Sequence, residues 1–170
     1  MYLMDEQYYV NLRDRYRPTQ TRLIFIAESP PSSGKYFYDP EGLTAEPLFR
    51  ALMCDVLERQ VASKTDGLKA FQEEGYLLLD ATYVPVNKGL SNGERDQIVL
   101  AGYEGLTREL VALSPQKSTP IILIKKNVCV LLEAKLLHDG FIVRNNGIVV
   151  PFPSRWQERR FREAIKQILG

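Results

Sequence analysis

Four short apolar runs stand out along the chain. Each run is continuous rather than alternating in polarity, which is typical of strands that are covered on both faces of a sheet. The pattern therefore predicts four buried strands. They lie at Leu23–Ala27, at Tyr76–Leu79 continuing towards Val84, at Ile121–Ile124 and at Ile148–Val150.

Between these runs, apolar residues recur with helical spacing. Strands that alternate with helices predict parallel βαβ units. We therefore expect residues 1–170 to form a single α/β domain, with residues 1–20 as an N-terminal extension or helix. The predicted helices run from Pro47 to about Val61, and over Leu68–Glu74, Glu94–Leu113, Asn127–His138 and Arg155–Leu169.

Several residues mark where these helices begin and end. Gly75 follows the second helix and is a residue type that commonly terminates helices. Asn127 is predicted to be the N-cap of the fourth helix. Ser154 and Gln157 have the spacing of a capping box at the start of the last helix.

The composition is that of an ordinary globular protein. Of the 170 residues, 45% are hydrophobic and 25% are charged, which provides enough apolar surface for one core. The formal net charge is only +1, whereas a domain that binds nucleic acid is usually basic. A local basic face can lie on a neutral protein, so the net charge alone leaves DNA open as a partner.

Cysteine and histidine are too few for a metal centre. Cys54, Cys129 and His138 are the only such residues, whereas a structural zinc site or a four-cysteine iron–sulfur cluster needs about four ligands. We therefore expect no metal, and two buried free thiols in a reducing compartment. The first 20 residues are polar and no apolar run has membrane-spanning length, so we expect a cytoplasmic protein without membrane contact.

Candidate functional residues follow the predicted strands. Parallel sheets bind ligands in the crevice outside the carboxyl ends of their strands. Four segments should therefore carry the function. They are Glu28–Tyr38, Asp80–Asn87, Lys125–Asn127 and Pro151–Arg155.

The first segment combines a rigid turn with aromatic residues. Pro30 and Pro31 force the chain out of the strand, and Tyr36, Phe37 and Tyr38 follow a short polar turn. Either the aromatic side chains hold the flat ring of a ligand, with a carboxylate and a hydroxyl group of this segment at the edge of the ring, or they pack into the core. The residues leave both interpretations open.

Charged residues in the second and third segments also allow two interpretations. Asp80 ends an apolar strand, where a carboxylate needs a partner, so it either caps a turn or contacts a ligand. Lys125 and Lys126 precede a helix, where positive charge opposes the helix dipole. They either meet an anionic partner or are solvated.

The last segment leads into an arginine-rich helix. An N-cap at Ser154 would leave backbone N–H groups free for an anion, and Arg155 adds positive charge beside them. Trp156 should be exposed or half-exposed, where it could wedge or stack. The alternative is a capped helix with a solvent-facing arginine surface.

Taken in order, these segments resemble the uracil-DNA glycosylase superfamily. The resemblance rests on the series IAESPP, GYLLLDATYVPVN, IILIKKN and VVPFPSRW, which covers about residues 20–169. It implies a three-layer α/β/α sandwich around a four-stranded parallel sheet. It also implies an enzyme that needs no cofactor, flips a damaged base out of DNA and cleaves the N-glycosidic bond. We expect the protein to be a monomer.

The resemblance also assigns roles to individual residues. Glu28 and Asp80 are the expected catalytic residues, since a carboxylate can stabilise the cationic sugar and position water. The expected base-binding residues are Ser29, Tyr36, Phe37, Tyr38 and Asp80, and the expected DNA-backbone contacts are Lys125, Pro153, Ser154 and Arg155.

Three positions differ from the superfamily pattern. Ser29 replaces an Asp or Asn, Phe152 replaces a histidine, and Asp80 replaces an Asn that reads the base edge. An ionised Asp80 would suit an amino group such as that of cytosine. These differences predict a DNA-base glycosylase of altered specificity, with a non-catalytic nucleic-acid-binding relative and a nucleoside- or nucleotide-acting enzyme as alternatives.

Overall fold

The centre of the fold is a parallel sheet of three strands in the order β2-β1-β3. The structure, a computed structural model, describes residues 4–170. In the register of the sheet, Ile24 lies opposite Leu77 on one side and Ile121 on the other. Every residue of β1 is buried, so both faces of the central strand are covered, as predicted. The strands are β1 (Leu23–Ala27), β2 (Tyr76–Asp80) and β3 (Ile121–Leu123).

The prediction of a fourth strand at Ile148–Val150 was wrong. These three residues are irregular, although the carbonyl oxygen of Val150 accepts a hydrogen bond of 2.8 Å from the Lys125 amide. The free edge of β3 instead forms one isolated bridge, between Ile121 and Val143.

The side chain of Asn145 explains why pairing at this edge stops. This fully buried amide accepts from the Leu123 N–H at 2.7 Å and donates to the Leu123 carbonyl at 3.0 Å. It also donates to the Ile148 carbonyl at 3.0 Å. One side chain thus satisfies the backbone groups that a fourth strand would otherwise pair.

The helices follow the predicted sequence regions, with two changes. The predicted helix 94–113 is divided at Gly102, where a Cβ atom would lie 2.7 Å from the Ala81 carbonyl oxygen. The helix that begins at Pro47 ends in a π-helical turn, Leu52–Val56, rather than near Val61. The helices are α1 (Glu6–Asp14), α2 (Pro47–Ala51), α3 (Lys64–Glu73), α4 (Asn92–Ala101), α5 (Tyr103–Leu113), α6 (Lys126–His138) and α7 (Glu158–Leu169).

Helix ends agree with the sequence at one position and differ at two. Gly75 adopts φ +78° directly after the C-cap of α3, as its residue type predicted. The N-cap of α6 is Lys125 rather than Asn127. The predicted capping box was also wrong, because the carbonyl of Ser154 accepts the Gln157 N–H in a turn before α7.

The buried apolar side chains form one cluster around the sheet. Tyr38 is fully buried within it, and its hydroxyl accepts a hydrogen bond of 2.8 Å from the Leu78 N–H at the open edge of β2. Both cysteines are free thiols. Cys129 is buried as expected, but Cys54 is exposed, which corrects the prediction of two buried thiols.

Candidate functional site

A cavity of about 320 Å³ lies at the carboxyl ends of the strands. All four segments that were predicted to carry function contribute to its walls. This convergence follows from the parallel sheet, in which all strands end at the same edge. The residues from these segments include Glu28, Ser29, Tyr36, Phe37, Asp80, Asn87, Lys125 and Phe152.

Two hydrogen bonds fix the loop after β1 against the loop after β2. The Asn87 side-chain oxygen accepts from the Ser32 N–H at 2.9 Å, and the Ser29 hydroxyl accepts from the Val86 N–H at 3.4 Å. The rigid Pro30-Pro31 exit from β1 shapes the same wall of the cavity. Two loops that support each other therefore form part of the cavity wall.

Glu28 is buried in the wall of this cavity and is held by three donors. Its Oε1 accepts from Lys125 Nζ at 2.5 Å and from Arg95 Nη2 at 2.8 Å, while Asn127 Nδ2 donates to Oε2. Burial raises the pKa of Glu28, but these hydrogen bonds outweigh that effect and hold the pKa below its ordinary value. Glu28 is therefore an ionised carboxylate at neutral pH.

Asp80 is the last residue of β2 and is only 4% exposed. Burial raises its pKa to about 7, with a further increase from the Glu109 carboxylate. The Arg13 cation and the Tyr36 hydroxyl act in the opposite direction. Two of the carboxyl groups that line the cavity thus differ at neutral pH, because Glu28 is ionised and Asp80 is partly protonated.

A part-buried polar cluster around Arg13 was not predicted from the sequence. Arg13 of α1 donates to the Tyr83 hydroxyl at 2.6 Å and to Glu109 of α5 at 3.0 Å. The one signal in the sequence was an arginine on the same helical face as Tyr9, which is buried. Arg95 was also missed, because nothing near it in the sequence connects it to Glu28.

The aromatic residues after β1 belong mainly to the core. Tyr36 and Phe37 line the cavity but are only 3% and 6% exposed, and Tyr38 does not reach the cavity wall. The Tyr36 carbonyl accepts a hydrogen bond of 2.8 Å from buried Lys64, which also pairs with Glu46 at 3.0 Å. The aromatic wall is therefore a fixed surface.

The four residues predicted to contact DNA backbone lie in different environments. Lys125 lies inside the cavity, where Glu28 neutralises its charge. Pro153 is buried, whereas Ser154 and Arg155 are exposed. Arg155 also lies 5.1 Å from the ring centre of Trp156, which is 84% exposed and adopts φ +78°.

Two kinds of feature were not found among the described residues. Across residues 4–170, no three His, Cys, Asp or Glu side chains are grouped so that they could hold a metal ion. None of the helices in the described part of the chain is both long and apolar enough to cross a membrane.

In comparisons with known proteins, no family model and no curated protein sequence matches this chain.

Proposed function

We propose that this chain is a divergent relative of the uracil-DNA glycosylases, with helices on both faces of its sheet, that removes a base from DNA by hydrolysing the N-glycosidic bond. One observation carries the proposal. An ionised carboxylate, Glu28, and a carboxyl group that is partly protonated at neutral pH, Asp80, line the same cavity. When their environments move the pKa values of two carboxyl groups apart, one group can act as a general acid and the other as a carboxylate that stabilises positive charge.

Glu28 has the chemistry to stabilise the transition state. Cleavage of an N-glycosidic bond builds positive charge on the sugar, and a nearby carboxylate stabilises that charge and orients water. Lys125 and Arg95 keep Glu28 ionised and fixed in position. Glu28 therefore needs no reorientation during the reaction to position water, while Lys125 and Arg95 already compensate much of its charge.

Asp80 has the chemistry of a proton donor to the departing base. The bond between C1′ and the base nitrogen breaks with its electron pair on the base, and Asp80 supplies a proton to that base. Water then adds its hydroxyl to C1′, and its remaining proton returns to Asp80. A group with a pKa of about 7 suits this role at neutral pH.

Other residues match the requirements of base flipping. Flipping a base out of the duplex costs a few kcal/mol. Contacts to the base in the pocket and to the gap that it leaves in the duplex must offset this cost. Tyr36 and Phe37 provide flat walls inside the cavity. Trp156 is exposed and follows the cavity residue Phe152 by four positions, so it is available to fill the gap in the duplex, with Ser154 and Arg155 next to it in the chain for phosphates.

The test is cleavage of single- and double-stranded oligonucleotides that each contain one uracil, hypoxanthine or xanthine. The wild type should release at least one base, and both Glu28→Gln and Asp80→Asn should reduce that rate by at least about 100-fold. Glu104→Gln is the matched control, because that side chain is 87% exposed. A panel without cleavage by the wild type would refute the proposal.

Hydrolysis of a free nucleoside or nucleotide is the second candidate. The net charge of +1 favours it, as does the neutralisation of Lys125 by Glu28, since both weaken the attraction for DNA. Faster turnover of free nucleosides than of oligonucleotides would select this candidate.

A non-catalytic relative that binds nucleic acid is the third candidate. It is suggested by Ser29 and Phe152, which replace the usual residues of the superfamily at these positions. Salt-sensitive binding of oligonucleotides without cleavage would select it.

A further inference from the structure

Ion pairs account for most of the charged side chains around the cavity that contains Glu28. Glu46 lines this cavity and pairs with buried Lys64 at 3.0 Å. Glu28 is shared by two cations, because Lys125 Nζ and Arg95 Nη2 lie 2.5 Å and 2.8 Å from the same oxygen. One carboxylate offsets only one of these two cations, so the cluster keeps one positive charge.

Lys35 adds a positive charge that no carboxylate offsets. It lines the same cavity and is exposed, and no carboxylate of residues 4–170 lies within 4.0 Å of its ammonium group. The charged side chains that line the cavity, together with their ion-pair partners, comprise four cations and three carboxyl groups. The cations are therefore in excess even when Asp80 is counted as fully ionised. Such walls favour a ligand that carries negative charge.

The turn that carries Lys35 is held by hydrogen bonds. The Gly34 N–H donates to the Pro31 carbonyl at 3.2 Å, and the Tyr36 N–H donates to the Gly34 carbonyl at 3.0 Å. Gly34 has φ +81°, a conformation that favours glycine. The Ser33 hydroxyl lines the cavity and accepts the Lys35 N–H at 3.4 Å, and its own O–H has no acceptor among the described residues. The turn therefore offers an ammonium group and a hydroxyl group to a ligand.

We infer that the cavity binds a nucleotide rather than a bare nucleoside, with a phosphate group of that nucleotide at Lys35 and Ser33. Phosphate oxygens accept charge-assisted hydrogen bonds from lysine, which are roughly twice as strong as bonds between neutral groups. In this arrangement the base lies against Tyr36 and Phe37, which directly follow Lys35 in the chain and line the same cavity. The volume of about 320 Å³ lies within the usual range of ligand cavities, about 300–1,000 Å³.

The inference deepens the proposed function by naming the charged part of its substrate. It rests on that function in one respect, namely that the cavity receives a base together with its sugar. The phosphate belongs either to a free mononucleotide or to a DNA strand, since both present the same anionic oxygens. Binding is measured without cleavage, so the inference and the proposed function can fail separately.

The first measurement is a calorimetric titration of the full chain with nucleosides and their phosphates. The probes are 2′-deoxyuridine, 2′-deoxyinosine and the 3′- and 5′-monophosphates of each. The wild type should bind at least one monophosphate about 10-fold more tightly than its nucleoside. Lys35→Met should remove most of this difference and leave nucleoside binding unchanged, whereas Lys35→Arg, which keeps the charge, should retain it. Lys35 is exposed, so both variants should fold.

A second measurement separates the two sources of the phosphate. A single-stranded trinucleotide with uracil or hypoxanthine in the middle is compared with the same sequence built with uncharged methylphosphonate linkages. If the phosphate belongs to DNA, the charged form should bind about 10-fold more tightly, and Lys35→Met should remove most of that difference. If it belongs to a free nucleotide, only the mononucleotides should show the preference.

Lys69→Met on α3 is the matched control, because it removes the same charge from an exposed lysine outside the cavity walls. It should leave every affinity unchanged. Three results would overturn the inference: equal affinity for the charged and uncharged members of every pair, no measurable binding of any probe, or equal losses in Lys35→Met and Lys69→Met. Cleavage of DNA without a preference for phosphate would overturn the inference alone. A preference that depends on Lys35, in a protein that cleaves nothing, would support the inference and refute the proposed function.

Discussion

Lys125 Nζ donates a hydrogen bond of 2.5 Å to Glu28 Oε1 and so joins the loop after β1 to the start of α6. The two residues are 97 positions apart in the chain. Lys125 adopts φ +90°, an unusual backbone conformation for a lysine, at the N-cap of α6. The strained backbone and the buried ion pair occur together, which is common where a functional group must be held in place.

Removing the Lys125 charge should raise the pKa of Glu28, because Lys125 makes the strongest of the contacts that lower it. In Lys125→Met we therefore expect the acid limb of the pH–rate profile to move to higher pH. Lys126→Met is the matched control, since Lys126 is exposed and makes no contact with Glu28 in the described structure. An acid limb unchanged in Lys125→Met would show that Glu28 does not control it.

The rate of base release should fall as pH rises through about 7. Asp80 must be protonated to act as an acid, and burial raises its pKa to that value. Single-turnover cleavage measured from about pH 5 to about pH 9 tests this expectation. A rate that keeps rising above pH 8 would contradict the role of Asp80 as proton donor.

Asp80→Asn should stabilise the protein at alkaline pH. Between the ordinary pKa of 3.8 and about 7, Asp80 binds more protons in the folded than in the unfolded state. The free energy of unfolding therefore decreases as pH rises across this range, and the full cost is present above it. The neutral amide avoids a cost on the order of 4 kcal/mol.

Urea unfolding of wild type and Asp80→Asn at about pH 4 and about pH 8 measures this difference. The two proteins should differ little at the lower pH, and the variant should be more stable at the higher pH. The exposed residue Asp66 provides a control, because Asp66→Asn should not reproduce the effect. Equal stability of wild type and Asp80→Asn at both pH values would mean that Asp80 carries no buried charge.

Gly102 and Gly105 should respond oppositely to substitution by alanine. A Cβ at Gly102 would lie 2.7 Å from the Ala81 carbonyl oxygen, so Gly102→Ala should destabilise the protein by about 1–3 kcal/mol. A Cβ at Gly105, within α5, would have no heavy atom within 4 Å. Gly105→Ala should therefore stabilise by about 0.5–1 kcal/mol, measured by thermal unfolding.

Trp156 should contribute to DNA binding without contributing to folding. Its side chain is 84% exposed, so Trp156→Ala should leave the melting temperature unchanged. Binding to oligonucleotides should weaken by about 1–3 kcal/mol, the range for stacking of a base on an aromatic side chain. Val130→Ala on α6, where the side chain is 65% exposed, is the control for loss of apolar surface.

Local sequence patterns predicted much of the fold correctly. The continuous apolar runs located β1, β2 and β3, because residues buried on both faces of a sheet must all be apolar. The position of a cavity at the strand ends followed from the parallel topology. Glu28 and Asp80 were found in this way, and the structure places both in the walls of the same cavity.

What the sequence determined by itself was therefore the class of the fold and the edge of the sheet at which a cavity forms. Only the tertiary structure decided the surroundings of Glu28 and Asp80. Arg95 lies 67 positions from Glu28, and Arg13 lies 96 positions from Glu109. The Asn145 side chain alone makes the hydrogen bonds to Leu123 that a fourth strand would otherwise make. Such contacts depend on how distant segments pack, which the periodicity of a local segment does not encode.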